Sequence, residues 1–182
     1  MITRVLVFIA ALATSLGAAA AWRYEAAASR LAFLARFQGN AVPGRFTDFD
    51  VALDGATPAG ARLVVTVRTA SAAFDSAEVT SAVRDAAWFD VARFPAARFE
   101  ARALEALGGD RYLARGTLAL KGVQRELDVP IVWHETAQGA ALSGEFAVER
   151  GWFGIGSGEF AGSDEVAAEV HMSFDVRLRR DD

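Results

Sequence analysis

From Val166 the chain alternates for thirteen residues, VAAEVHMSFDVRL. Val166, Ala168, Val170, Met172, Phe174, Val176 and Leu178 fall on one side. Ala167, Glu169, His171, Ser173, Asp175 and Arg177 fall on the other. Strict period two over that length marks a long, half-buried strand, about 43 Å at ~3.3 Å per residue, and such a strand suits a tall barrel. The alternation recurs in ARLVVTVRT, where Leu63, Val65 and Val67 share a face. RYLARGTLAL, Lys121-Gly122 and VQRELDVPIVW read as a hairpin closed by a two-residue turn. Pro130 inside the second arm marks an edge or a local bulge, because proline brings no N–H to a ladder. Asp54-Gly55, Gly108-Gly109 and Gln138-Gly139 punctuate further turns. Eight or nine short strands in all predict a sandwich or a closed barrel.

One stretch breaks the period. In DSAEVTSAVRDAAWFD, residues 75–90, Val79, Val83 and Ala87 follow at four-residue steps, and Asp75 or Ser76 stands where a helix cap belongs. A single helix is expected across it. It runs into WFDVARFPAARFE, where Trp88, Phe89, Phe94 and Phe99 crowd around Pro95. Phe94-Pro95 ends the helix and strand resumes at Arg98, so the ring cluster reads as a helix-to-strand junction at one end of the barrel.

The first twenty-one residues are of another kind. Arg4, the apolar run 5–16 and Ala19-Ala20-Ala21 have the three-part form of a secretory leader, with cleavage expected before Trp22. Twelve apolar residues fall short of the ~20 that span a bilayer. What remains, residues 22–182, is the length of one ordinary domain. The net charge of −4 becomes −5 when Arg4 leaves, which disfavours nucleic acid and anionic membranes as partners. The absence of cysteine excludes a disulfide framework and Cys-ligated zinc, so the fold rests on packing.

Candidate chemistry is sparse. His134 and His171 sit apart on strands, too few for a metal site, and read as solvated or hydrogen-bonded residues. Gly154-Ile155-Gly156-Ser157-Gly158 fits neither a nucleophile elbow nor a dinucleotide fingerprint and reads as a loop between strands. No carboxylate pair stands out among 23 acidic residues, and no catalytic residue or metal ligand is assigned. Rings are abundant: thirteen Phe and four Trp recur along the strands and at their ends. A small barrel either fills with its own side chains or holds one slender ligand; composition alone favours the filled core.

Several stretches taken together resemble a known family. The run from Ser81 through Ala-Val-Arg-Asp-Ala-Ala-Trp88-Phe89-Asp to Phe94-Pro95-Ala-Ala-Arg-Phe99 resembles the signature region of the YceI-like family of bacterial periplasmic proteins. Gly44-Arg45-Phe46-x-x-Phe49, Gly116-Thr-Leu-Ala-Leu-Lys-Gly-Val, Arg150-x-x-Phe153-Gly154-Ile155 and Ser163-Asp164-Glu165-Val166 are similar to other parts of its pattern, in order. The resemblance implies an all-β, extended lipocalin-like antiparallel eight-stranded β-barrel with one short helical insertion. It implies a non-catalytic periplasmic binder or carrier of an isoprenoid lipid, either a polyprenyl phosphate or an isoprenoid quinone, with no cofactor beyond that lipid. The alternative role is as accessory to a membrane cytochrome b in a quinone-linked redox system; a hydrolase ranks third. A homodimer is compatible with this reading. Two positions depart from the family pattern: FLARFQG lacks its histidine, and Trp152 replaces its acid before the Phe-Gly pair. A neutral, quinone-like head, or no head recognition, then fits better than a phosphate clamp. The expected apolar lining is Phe33, Phe37, Phe46, Val65, Val67, Trp88, Phe89, Phe94, Phe99, Phe153 and Phe174.

Overall fold

The computed structural model describes residues 22–162 and 165–180. The expected leader and the Ser163-Asp164 pair lie outside them. The alternating segments form β1 (Trp22–Tyr24), β2 (Arg30–Phe37), β3 (Asn40–Phe46), β4 (Phe49–Asp54), β5 (Arg62–Arg68), β6 (Ala72–Phe74), β7 (Ala96–Gly108), β8 (Arg111–Leu120), β9 (Val123–Thr136), β10 (Gly139–Glu149) and β11 (Glu169–Arg180). All pair antiparallel in one sheet, in the order β4-β5-β7-β8-β9-β10-β11-β2-β3-β6, with β1 also on β11. The sheet curls strongly into a half-barrel of lipocalin-like form. The count exceeds eight because β1 and β6 are three-residue pieces. In addition, β3 and β4 are one run parted at Thr47 and Asp48, where the chain passes from one flank of the sheet to the other. Backbone bonds from Thr47 N–H to Ser71 and from Arg68 N–H to Asp48 tie that corner.

The β8–β9 turn is as its sequence requires: Lys121 and Gly122 have φ of 48° and 77°, both left-handed, matching the twist of the strands they join. The long final strand is present, beginning at Glu169 rather than Val166. Val166 instead makes an isolated bridge to Phe37. Near Pro130 the β9–β10 ladder stops, its last rung being Val132 opposite Ser143.

The single helix expected over residues 75–90 is a correction. Only α1, Ala77–Ala82, is helical; its cap is Ser76, whose hydroxyl accepts from the Val79 N–H. Beyond it the chain unwinds through turns, with Phe89 N–H bonded to Val83 O and Asp90 N–H to Asp85 O, and Asp90 at φ 48°. The reason is steric. A helix projects neighbouring residues about 100° apart, yet Val83, Trp88 and Phe89 all face the same interior space.

The interior divides into two halves. At the end that holds β1 and the β4–β5, β7–β8 and β9–β10 turns, Trp22, Leu53, Leu104, Trp133 and Leu178 pack into a solid core, each at most 4% exposed. Trp22 and Trp133 meet edge to face at 5.0 Å, and the Trp22 indole donates to Gly55 O. Towards the other end, where the β2–β3, β6–β7, β8–β9 and β10–β11 connections gather, the sheet encloses a cavity.

Candidate functional site

Every strand from β2 to β11 contributes apolar side chains to this cavity, whose volume is about 230 Å³. Of the residues expected to line it, Phe33, Phe46, Val65, Val67, Trp88, Phe89, Phe99, Phe153 and Phe174 do so. Two do not. Phe37 lies on the same strand face as Phe33 but at the end of β2, past the rim, and is 41% exposed. Alternation gives the side on which a residue falls, not whether the wall opposite still reaches that far. Phe94 packs instead over the β8–β9 turn, where its ring lies close to Gly122, and the Arg93 guanidinium covers it at 5.1 Å. Phe37→Ser is expected to leave stability within about 0.5 kcal/mol, and Phe94→Ala to cost about 1–2 kcal/mol through lost burial; equilibrium urea unfolding checks both.

Hollowness has a local cause. Three lining rings reach across glycines of the neighbouring strand: Phe33 at Gly44, Phe99 at Gly116, and Phe174 at Gly144. Phe33 and Gly44 are register partners, as are Phe174 and Gly144. A Cβ at any of these glycines would collide with the ring. The absence of that carbon lets large side chains lie against the wall instead of meeting across the middle. The rings also contact one another along the lumen, Phe33 with Phe46 at 5.2 Å and Phe46 with Phe89 at 6.0 Å.

Loops close the lumen. Ala87 O accepts from the N–H groups of Gly156 and Ser157, both at 2.9 Å, and Trp88 packs on Phe160 at 5.3 Å. Lys121 Nζ donates to Ala86 O and Gly154 O, joining three connections, and partial burial lowers its pKa. The glycine-rich stretch 154–158 is therefore more than a connector: Ile155 is buried and lines the cavity.

Arg150 is a lining residue that pattern reading missed. It is 5% exposed and opens a 3₁₀ turn, Arg150–Phe153. Its guanidinium donates to the carbonyls of Ala167, Ile155, Gly156, Gly162 and Val166. Five N–H donors meet five acceptors, and desolvation lowers its pKa. Among the described residues, only Thr69 and the Trp88 indole besides Arg150 bring polar side-chain atoms to the lining, and the Thr69 hydroxyl donates to Phe94 O. The two histidines stay outside: both are exposed, and His171 sits 3.0 Å from Glu169.

A family model described as YceI-like domain matches residues 22–178. The chain belongs to the YceI-like family. Among solved structures, this YceI-like protein is similar to BcnA of Burkholderia cenocepacia, with 25% identity and a TM-score of 0.80 over 85% of this chain and 98% of that one. It is similar to a polyisoprenoid binding domain from Saccharophagus degradans implicated in plant cell wall breakdown, with 16% identity and a TM-score of 0.74, covering 90% and 100% of the two chains. The YCEI protein of Campylobacter jejuni shares 16% identity and a TM-score of 0.68 over 76% of this chain and 85% of that chain. No curated protein matches the sequence.

Proposed function

We propose that this YceI-like protein is an exported, periplasmic carrier that holds the tail of a neutral-headed isoprenoid lipid in its lumen, without catalysing a reaction. One observation carries the reading: the described lining is almost wholly apolar, and Arg150, the one cation among the described lining residues, has no donor left for a ligand. Apolar burial is the main force such a wall offers a guest, at roughly 25 cal/mol per Å². The family membership and the polyisoprenoid-binding relative support the same ligand class. Between the two head groups, the saturated guanidinium favours a quinone or an uncharged polyprenol over a prenyl phosphate, whose charge would lack a partner. With a quinone tail bound, a membrane cytochrome b would be its partner.

Organic extraction of the protein purified from its own host, followed by mass spectrometry, tests this. An uncharged isoprenoid near one per protein is expected. Protein that is consistently empty and takes up no isoprenoid from vesicles overturns the reading.

A further inference from the structure

We propose that a linear isoprenoid passes in and out sideways, through a seam between β9 and β10, and not through the looped end. This rests on the lipid-binding reading above. The β9–β10 ladder runs only from Thr136 opposite Gly139 to Val132 opposite Ser143. Both strands continue well beyond it. β9 follows its other neighbour, β8, down to Val123, and β10 follows β11 up to Glu149. Over residues 123–131 and 144–149 their facing edges therefore share no rung among the described residues. The cavity lining reaches both edges, with Leu127 and Val129 on one and Phe146 and Val148 on the other.

The head of the seam is a close approach: a Cβ on Gly144 would collide with Pro130 O. At its foot the Arg150–Phe153 turn packs against β9. Between these points, widening the seam costs no ladder bond. Opening the looped end would cost the carbonyl bonds of Lys121 and Arg150 and the two N–H bonds to Ala87 O together. The route of lower cost is lateral. Its outer flanks carry exposed Glu126 and Asp128 on β9 and Glu145 and Glu149 on β10. Asp128 has Arg115 at 3.6 Å. An acidic mouth repels a phosphate and admits a neutral head, in keeping with the saturated interior.

The test bridges the seam. Continuing the ladder register places Asp128 opposite Ala147, and the chain has no cysteine of its own. An Asp128→Cys/Ala147→Cys variant, joined by a short reducible thiol cross-linker, is mixed with phosphatidylcholine vesicles carrying a ubiquinone or an uncharged polyprenol. The lipid is then extracted from the re-isolated protein over time. Bridging is expected to slow uptake at least tenfold, and reduction to restore it. Glu126→Cys/Glu149→Cys, the second pair, should behave alike. Val132→Cys/Ser143→Cys, across an existing rung, should leave uptake unchanged when bridged. Equal rates with and without the seam bridge overturn the portal and leave the carrier reading standing. No uptake by the unmodified protein overturns the carrier reading and the portal with it.

Discussion

Arg150→Met is expected to lower folding stability by about 3–5 kcal/mol, because it strips five carbonyls of their donors at once, those of Ile155, Gly156 and Val166 in buried bonds. In a domain of this size that corresponds to a fall in Tm of roughly 10 °C. Arg150→Lys should recover less than half of the loss, since an ammonium offers three donors from one point where the fork offered five. Among the described residues this arginine balances its charge with carbonyl dipoles and not with a carboxylate, so the effect should persist in high salt, unlike that of the exposed Arg62–Glu100 pair. Thermal and urea unfolding check the magnitude. Hydrogen exchange should show amides of residues 150–162 losing protection first. A loss below about 1 kcal/mol, or full rescue by lysine, would show that water replaces the guanidinium without difficulty.

The second large effect concerns the guest. Apolar voids cost ~24 cal/mol per Å³, so emptying a lumen of 230 Å³ corresponds to roughly 5 kcal/mol. Delipidated protein should therefore unfold well below the loaded form, by about 10–20 °C. Re-addition of a ubiquinone or a polyprenol in vesicles should reverse this. A Val65→Phe/Val129→Phe variant fills the same space from within. It should keep or raise the Tm of the empty protein while lipid recovered by extraction drops at least tenfold. Equal stability of loaded and stripped protein would mean that the hollow is no binding site.

Much of this architecture is legible in the chain because a sheet writes its faces into alternate residues. The last strand, the Lys121-Gly122 hairpin and the edge announced by Pro130 all follow from rules acting within a few residues. The site was legible only so far. Nine lining residues could be named from face and family pattern, but position along the barrel axis is a tertiary quantity, and Phe37 was lost to it. The segment after Ser76 kept a four-residue period, yet it unwinds because adjacent Trp88 and Phe89 face one space. Arg150 stood in a recognised motif without a visible task, since the carbonyls it gathers belong to residues up to 17 positions away. Nor did the strand glycines announce themselves; each matters only because a ring lies over it.

Those glycines have a consequence for what the protein can discriminate. The calibre of the lumen is set less by its bulky residues than by the places where a side chain is missing. At Gly44 the chief obstacle to an added methyl is the Phe33 ring, with Ala73 O a tight but lesser contact at 3.2 Å, whereas at Gly116 and Gly144 backbone carbonyls collide outright. A single-carbon change at Gly44 would thus tip one ring inward and narrow the bore with little disturbance to the wall. Selection for thinner or thicker hydrocarbon chains has a dial there, turned in steps of one methyl group.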